Sequence, residues 1–271
     1  ALPALLTGNT VVFKPASFTP WSGVFMAHLL ERAGLPAGVF HCATRLGSRI
    51  GNVIVEDPRV RAISFTGSTE VGKKIQVKCS ANLTRTQLEL GGKNALIVMD
   101  DADLGEAVGA AATAGFSNGG QWCTSTTRIL LQKGIAKSFH DALVARCDKM
   151  NVGDGLLEST DMGPVGGPDQ FGEITKAIEQ AKADGATMIA GAKPVDQAGY
   201  FIRPTVFTNV KTTMPLFLDE IFGPVLAVCE FGSLDEAIEL ANNSIYGLSS
   251  AIFTKSLSNA KRYVDGIEAG L

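Results

Sequence analysis

The chain has 271 residues, 45% of them hydrophobic, and a formal net charge of −3. That is enough apolar material for one or two packed cores, and the 24 basic residues are scattered, so no concentrated positive face marks a nucleic-acid or anionic-membrane partner. No apolar run approaches the ~20 residues of a membrane span and no basic-then-apolar leader is visible; five cysteines without C-x-x-C spacing suggest neither a disulfide framework nor a zinc site, and a reducing cytoplasm is expected.

A first strand is predicted over 10–13, closed by Lys14-Pro15 because proline cannot donate to a ladder. Thr19 and Pro20 then mark a helix start, with Thr19 as N-cap and Pro20 at the first helical position, and Gly34 marks its end. Further strands are predicted over 39–42 and 60–65, with a helix over 47–55 between them. Phe65-Thr66-Gly67-Ser68 turns from the latter strand into a helix reaching Cys79, and residues 86–90 form the next strand, carrying Glu89. Strands alternating with helices at this spacing predict an α/β fold with a parallel sheet.

A domain boundary is expected at Gly91-Gly92, dividing the chain into 1–91 and 92–271. Beyond it come a strand over 94–99, a small-residue helix over 102–116 capped by Asp101, and the loop Gly119-Gly120-Gln121-Trp122-Cys123-Thr124. A strand over 129–131 and helices over 136–150 and 169–183 follow. Strands are then predicted over 188–190, 200–207, 225–231 and 248–254, with a helix over 258–267 at the end. Asp219-Glu220-Ile221-Phe222-Gly223-Pro224 reads as a rigid turn, and Ser233 to Glu236 as a capping box opening a helix to Asn242.

Cys123 lies in a loop between two glycines and a threonine-serine run, and Glu89 is a lone carboxylate in an apolar run followed by two glycines. A loop thiol and an isolated carboxylate suit covalent catalysis with a separate base. Taken alone, a cysteine is more often a small buried hydrophobe and a strand glutamate often faces solvent. Gly67-Ser68 at a helix start offers free amides to a phosphate. It is not the G-x-G-x-x-G fingerprint, and by itself it reads more readily as a capped βα turn with no ligand.

VVFKPA, FTGS, LELGG, GQWCT and EIFGP, in this order, resemble the aldehyde dehydrogenase superfamily over essentially the whole chain. The resemblance implies that 1–91 is the C-terminal part of a Rossmann-like NAD(P)-binding domain and 92–271 an α/β catalytic domain. It also implies that Cys123 attacks an aldehyde and that Glu89 activates water to hydrolyse the thioester. For the cofactor, Lys14 would reach the adenosine ribose, Gly67 and Ser68 the pyrophosphate and Glu220 the nicotinamide ribose, with Phe222 near the nicotinamide. Ser17 stands where NAD-preferring members carry a glutamate, and a neutral hydroxyl does not repel a 2′-phosphate; the cofactor is therefore expected to be NADP or NAD.

The same resemblance points to a dicarboxylic semialdehyde, 2-oxoglutarate semialdehyde first and succinate semialdehyde second. Arg128 is a candidate anchor for the second carboxylate, and at least as readily a solvated or structural arginine. Trp122 departs from the charged residue expected there, which would narrow the pocket or favour a less polar aldehyde. Rival readings are a CoA-acylating aldehyde dehydrogenase, against which Glu89 argues, and an impaired or non-catalytic fragment of the same scaffold. The chain is expected to be a fragment. By the resemblance, it would start after the segment whose asparagine supplies the family's second oxyanion donor and stop before the segment used in oligomerisation. Its parent is expected to be a homodimer or homotetramer acting on a small aldehyde.

Overall fold

The computed structural model describes residues 1–193 and 195–271. They form two compact units, Ala1–Leu90 and Gly91–Leu271.

The first unit is built of βαβ steps. A short helix α1 (Leu2–Leu6), an addition to the predicted elements, leads into strand β1 (Val11–Phe13), helix α2 (Pro20–Arg32) and strand β2 (Phe40–Cys42). Thr19 is the N-cap of α2 and Pro20 stands in its first turn, although the Thr19 hydroxyl accepts no bond; proline's fixed φ begins this helix. Helix α3 (Gly47–Glu56), strand β3 (Ala62–Thr66), helix α4 (Thr69–Ser80) and strand β4 (Arg85–Glu89) complete the unit. β1 pairs in parallel with β2, and β3 with β4.

The second unit is a three-layer αβα sandwich. Its strands are β5 (Asn94–Val98), β6 (Thr126–Gln132), β7 (Thr187–Ala190), β8 (Thr205–Thr208), β9 (Val225–Phe231) and β10 (Ser250–Phe253). Its helices are α5 (Leu104–Phe116), α6 (Lys133–Lys149), α7 (Pro168–Ala183), the four-residue α8 (Pro215–Leu218), α9 (Leu234–Asn242) and α10 (Leu257–Gly266). The sheet runs β10-β5-β6-β9-β8-β7, with every pair parallel except β7 against β8. The alternation of side chains along each strand divides the core. Leu96, Val98, Ile129, Leu131, Leu226 and Val228 meet α5 and α6 on one face, whereas Ile97, Leu130, Val225 and Ala227 meet α7, α9 and α10 on the other.

Besides α8, which is unpredicted like α1, four elements differ from the sequence expectation. Asp103, not Asp101, caps α5 by accepting from the Glu106 N–H at 3.0 Å. Asp101 instead accepts from the Thr254 hydroxyl at 2.9 Å and the Lys255 N–H at 3.1 Å. The strand expected over 200–207 is confined to β8, since Pro204 has no N–H with which to extend a ladder. β6 is longer than its apolar centre suggests, because Thr126, Thr127 and Arg128 are buried polar members of it. The capping box closes one residue early. Ser233 accepts from the Glu236 N–H at 3.3 Å, and the Glu236 carboxylate accepts from the Gly232 N–H at 2.8 Å. Among the described residues, no helix is long and apolar enough to cross a membrane.

Candidate active site

In the first unit the candidate residues sit at the carboxyl ends of the parallel strands, where a strand hands over to a helix start. Thr66 pairs with Glu89, and the Gly67 N–H donates to the Glu89 carbonyl at 3.1 Å. Glu89 therefore ends β4 directly beside the Gly67-Ser68 turn, with its side chain on the exposed face. Ser68 is the N-cap of α4 and accepts from the Val71 N–H at 3.4 Å, which leaves its hydroxyl hydrogen free to donate. The neighbouring Thr69 hydroxyl is buried without a hydrogen-bond partner. Helix-start amides, a free serine hydroxyl and an orphaned threonine hydroxyl suit an anionic diphosphate. Lys14 follows β1, its Nζ donating to the Pro15 carbonyl at 2.7 Å, and Ser17 is exposed in the turn before α2.

In the second unit the candidates lie at the opposite end of the strands. Asn94 opens β5, the Cys123 loop precedes β6, and Glu220 to Gly223 precede β9, three strands that are adjacent and parallel. Ligands in open α/β sheets more often gather at the carboxyl ends, so this amino-terminal gathering is set by the loops themselves. α5 delivers the chain through Asn118, Gly119 and Gly120, all in the left-handed region. A Cβ on Gly120 would overlap the Gly223 carbonyl, so the two loops meet backbone to backbone. Gln121 ties the loop down, its Oε1 accepting from the Gly166 N–H at 2.8 Å.

Cys123 is half-buried while Cys79 and Cys147 are buried. Burial pushes the Cys79 thiol up, Cys147 up to about 12 and Cys229 up to about 11, which keeps these three protonated near neutrality. Within the loop the Ser125 N–H donates to the Trp122 carbonyl at 3.0 Å, and the Cys123 carbonyl accepts from Asn94 Nδ2 at 2.8 Å. Among the described residues no acceptor takes the Cys123 N–H. Trp122 is 52% exposed next to the thiol.

Gly91-Gly92 brings Glu220 and the Cys123 loop to one dipeptide. The Gly92 N–H donates to Glu220 Oε1 at 3.0 Å. A Cβ on Gly91 would overlap the Glu220 carboxylate, and one on Gly92 would overlap the Cys123 carbonyl. These glycines are thus required by close approach. Burial raises Glu220, opposed by the Gly92 N–H and the Lys93 charge. Lys93 is 2% exposed. Burial lowers its amine to about 7, the Arg128 charge adding to the effect and Asp219 and Glu220 opposing it. Phe222 is exposed and adopts a positive φ of 55°, rare for an aromatic residue, and Gln170 Nε2 donates to its carbonyl at 2.9 Å.

Arg128 does not serve as a substrate anchor. It is 2% exposed, and its N–H groups go to the carbonyls of Lys93, Leu240, Ala241 and Asn243 at 2.6 to 3.3 Å. Its guanidinium also lies 4.9 Å from the Phe217 ring centroid. No N–H is left for a substrate carboxylate. Residues that sequence reasoning missed are Asn94, Lys93 and Gln121, whose roles depend on contacts to loops far away in the chain. Among the described residues, no group of three His, Cys, Asp or Glu side chains is placed to hold a metal.

The aldehyde dehydrogenase family model matches residues 1–271. The chain belongs to the aldehyde dehydrogenase family. Curated relatives in the family include a betaine aldehyde dehydrogenase of Rhizobium leguminosarum bv. trifolii, 44% identical over all of this chain and 56% of its own length. The alpha-ketoglutaric semialdehyde dehydrogenase of Bacillus subtilis is 41% identical over 99% of the chain and 56% of its length. Among solved structures, betaine aldehyde dehydrogenase of Staphylococcus aureus in complex with NAD+ superposes with a TM-score of 0.96 at 40% identity, covering 99% of this chain and 54% of that one. Lactaldehyde dehydrogenase from Escherichia coli gives a TM-score of 0.95 at 38% identity, covering 99% and 56%. The chain therefore spans about half the length of the family members it matches.

Proposed function

We propose that this family member oxidises an aldehyde to the carboxylic acid with NADP or NAD, using Cys123 as nucleophile and Glu89 as the base for hydrolysis. The observation that carries the reading is the Cys123 loop: a half-buried thiol in a backbone held on both sides, with its own N–H uncommitted. The Cys123 thiolate adds to the aldehyde carbon, and the new oxyanion takes the Cys123 N–H as a donor, an interaction worth roughly 3 kcal/mol in such sites. When the hemithioacetal loses hydride, a thioester remains on Cys123, and Glu89 removes a proton from the water that hydrolyses it.

Lys14, Ser17, Gly67 and Ser68 would hold the adenosine and diphosphate end of the cofactor, and Glu220 and Phe222 the nicotinamide end. The fit rests on the free Ser68 hydroxyl and the orphaned Thr69 hydroxyl at the start of α4. The bound cofactor would supply a nicotinamide ring able to accept the hydride. Ser17, carrying no charge, leaves room for a 2′-phosphate. Five free cysteines accord with a reducing cytoplasm, where the protein would act as a homodimer or homotetramer.

For the substrate we favour a dicarboxylic semialdehyde, supported by the names of the Bacillus subtilis relative and of a Saccharolobus solfataricus 2,5-dioxopentanoate dehydrogenase 44% identical to the chain. A second reading is a less polar or cationic aldehyde such as betaine aldehyde. It is favoured by the exposed Trp122 beside Cys123 and by the commitment of Arg128 to backbone carbonyls. The test is absorbance of the reduced nicotinamide with 2-oxoglutarate semialdehyde, succinate semialdehyde and betaine aldehyde, each with NAD and NADP, beside Cys123→Ala. Turnover that vanishes in Cys123→Ala is the expected result; equal turnover in the variant would refute the nucleophile.

A further inference from the structure

We propose that Asn94 is a positioning residue, whose carboxamide fixes the Cys123 loop in the geometry that presents the thiol and the Cys123 N–H to an aldehyde. This rests on the assignment of Cys123 as nucleophile.

Asn94 is 4% exposed and opens β5. Its Nδ2 donates to the Cys123 carbonyl at 2.8 Å and to the Ser125 carbonyl at 2.7 Å, and its Oδ1 accepts from the Ser249 N–H at 3.0 Å. A carboxamide has two donor hydrogens, and both are spent on the loop. Asn94 therefore has none to give an oxyanion, and its role is to hold rather than to react. The Cys123 carbonyl is fixed by Asn94, and the Trp122 carbonyl by the Ser125 N–H at 3.0 Å. The backbone on either side of the thiol is thereby pinned, and what remains free is rotation of the Cys123 side chain.

The surroundings are shaped to this grip. Asn94 pairs with Thr126 and Ala95 with Arg128, so Thr127 is a bulged residue on β6 where the Cys123 loop joins the sheet. Bulges of this kind re-aim chains next to sites. Gly92 admits the carboxamide, since a Cβ there would stand 2.8 Å from Asn94 Oδ1 and overlap the Cys123 carbonyl. Through Ser249 the same side chain ties the loop to the segment just before β10. One buried amide thus joins three chain segments at the amino-terminal edge of the sheet, where its donors are worth more than in water.

The experiment measures iodoacetamide alkylation of each cysteine by peptide mass spectrometry, from about pH 6 to about pH 10, where thiols ionise. It compares the wild-type chain with Asn94→Asp and Asn94→Ser, and circular dichroism reports the fold. Asn94→Asp sets an oxygen against two carbonyl oxygens; Asn94→Ser is smaller, adds no charge and carries the decision if the aspartate variant does not fold. The expected result is a fall of about tenfold or more in Cys123 alkylation across the pH profile, with Cys79 and Cys147 still protected. Cys123 alkylation within about twofold of wild type, in a folded variant, would overturn the proposal. So would a general rise in labelling that includes Cys79 and Cys147, since that reports loss of structure alone. If Cys123 in the wild-type chain labels no faster than the other four cysteines, the nucleophile assignment fails first and the positioning role with it.

Discussion

Lys93 is a buried amine close to two carboxylates and a guanidinium, and its environment fixes the sign of a measurable pH effect. In the unfolded chain the amine keeps its proton up to about 10.5, whereas in the fold it releases it near 7. Between these values the unfolded chain binds more protons, so stability rises with pH; below about 7 both states are charged and burial costs its full amount. Lys93→Met removes that cost, which for a displacement of this size is a few kcal/mol. Urea unfolding should therefore show Lys93→Met more stable than wild type near pH 6, with the gap shrinking as pH approaches 10. A gap that stays constant or widens would mean that the amine is not held in this environment. Asp219 and Glu220 work against the shift, so the fold keeps opposite charge nearby without a carboxylate in direct salt-bridge contact.

Arg128 ties the sheet to its helices. It projects from β6 and donates to Leu240 and Ala241 in the last turn of α9, to Asn243 just beyond, and twice to Lys93 just before β5. A cation at a helix carboxyl end meets the unpaired carbonyls and the negative end of the dipole together. Arg128→Lys keeps the charge but cannot span these acceptors with a single ammonium. Thermal or urea unfolding should show a loss of roughly 2 to 4 kcal/mol. The ratio of turnover between carboxylated and neutral aldehydes should stay as in wild type. Loss of turnover with semialdehydes alone, at unchanged stability, would restore Arg128 as a substrate anchor.

For the whole molecule, the order of strands and helices is legible in the sequence because proline, glycine and capping residues mark most boundaries and the apolar runs between them are short. The rest is hidden for physical reasons. Asp101 and Asp103 are both suitable caps locally, and only the distant contact with Thr254 and Lys255 draws Asp101 away. Cys123 and Glu89 stand out by motif. Asn94 reads in sequence as an ordinary strand residue, because its partners lie 29, 31 and 155 positions away. The placement of the second unit's candidates at the amino ends of β5, β6 and β9 follows from loop packing, Gly120 against Gly223 and Gly92 against the Cys123 carbonyl, which no local pattern reports.

In the proposed mechanism the acyl group passes through Cys123 and is released by water activated at Glu89. The most direct measurement is peptide mass spectrometry of Glu89→Gln quenched in acid after mixing with the aldehyde and NADP or NAD. A thioester on the peptide containing Cys123 is expected, accumulating in Glu89→Gln and scarce in the wild-type chain. Turnover by the wild type with no adduct on Cys123 in the variant, or an adduct on another cysteine, would contradict it.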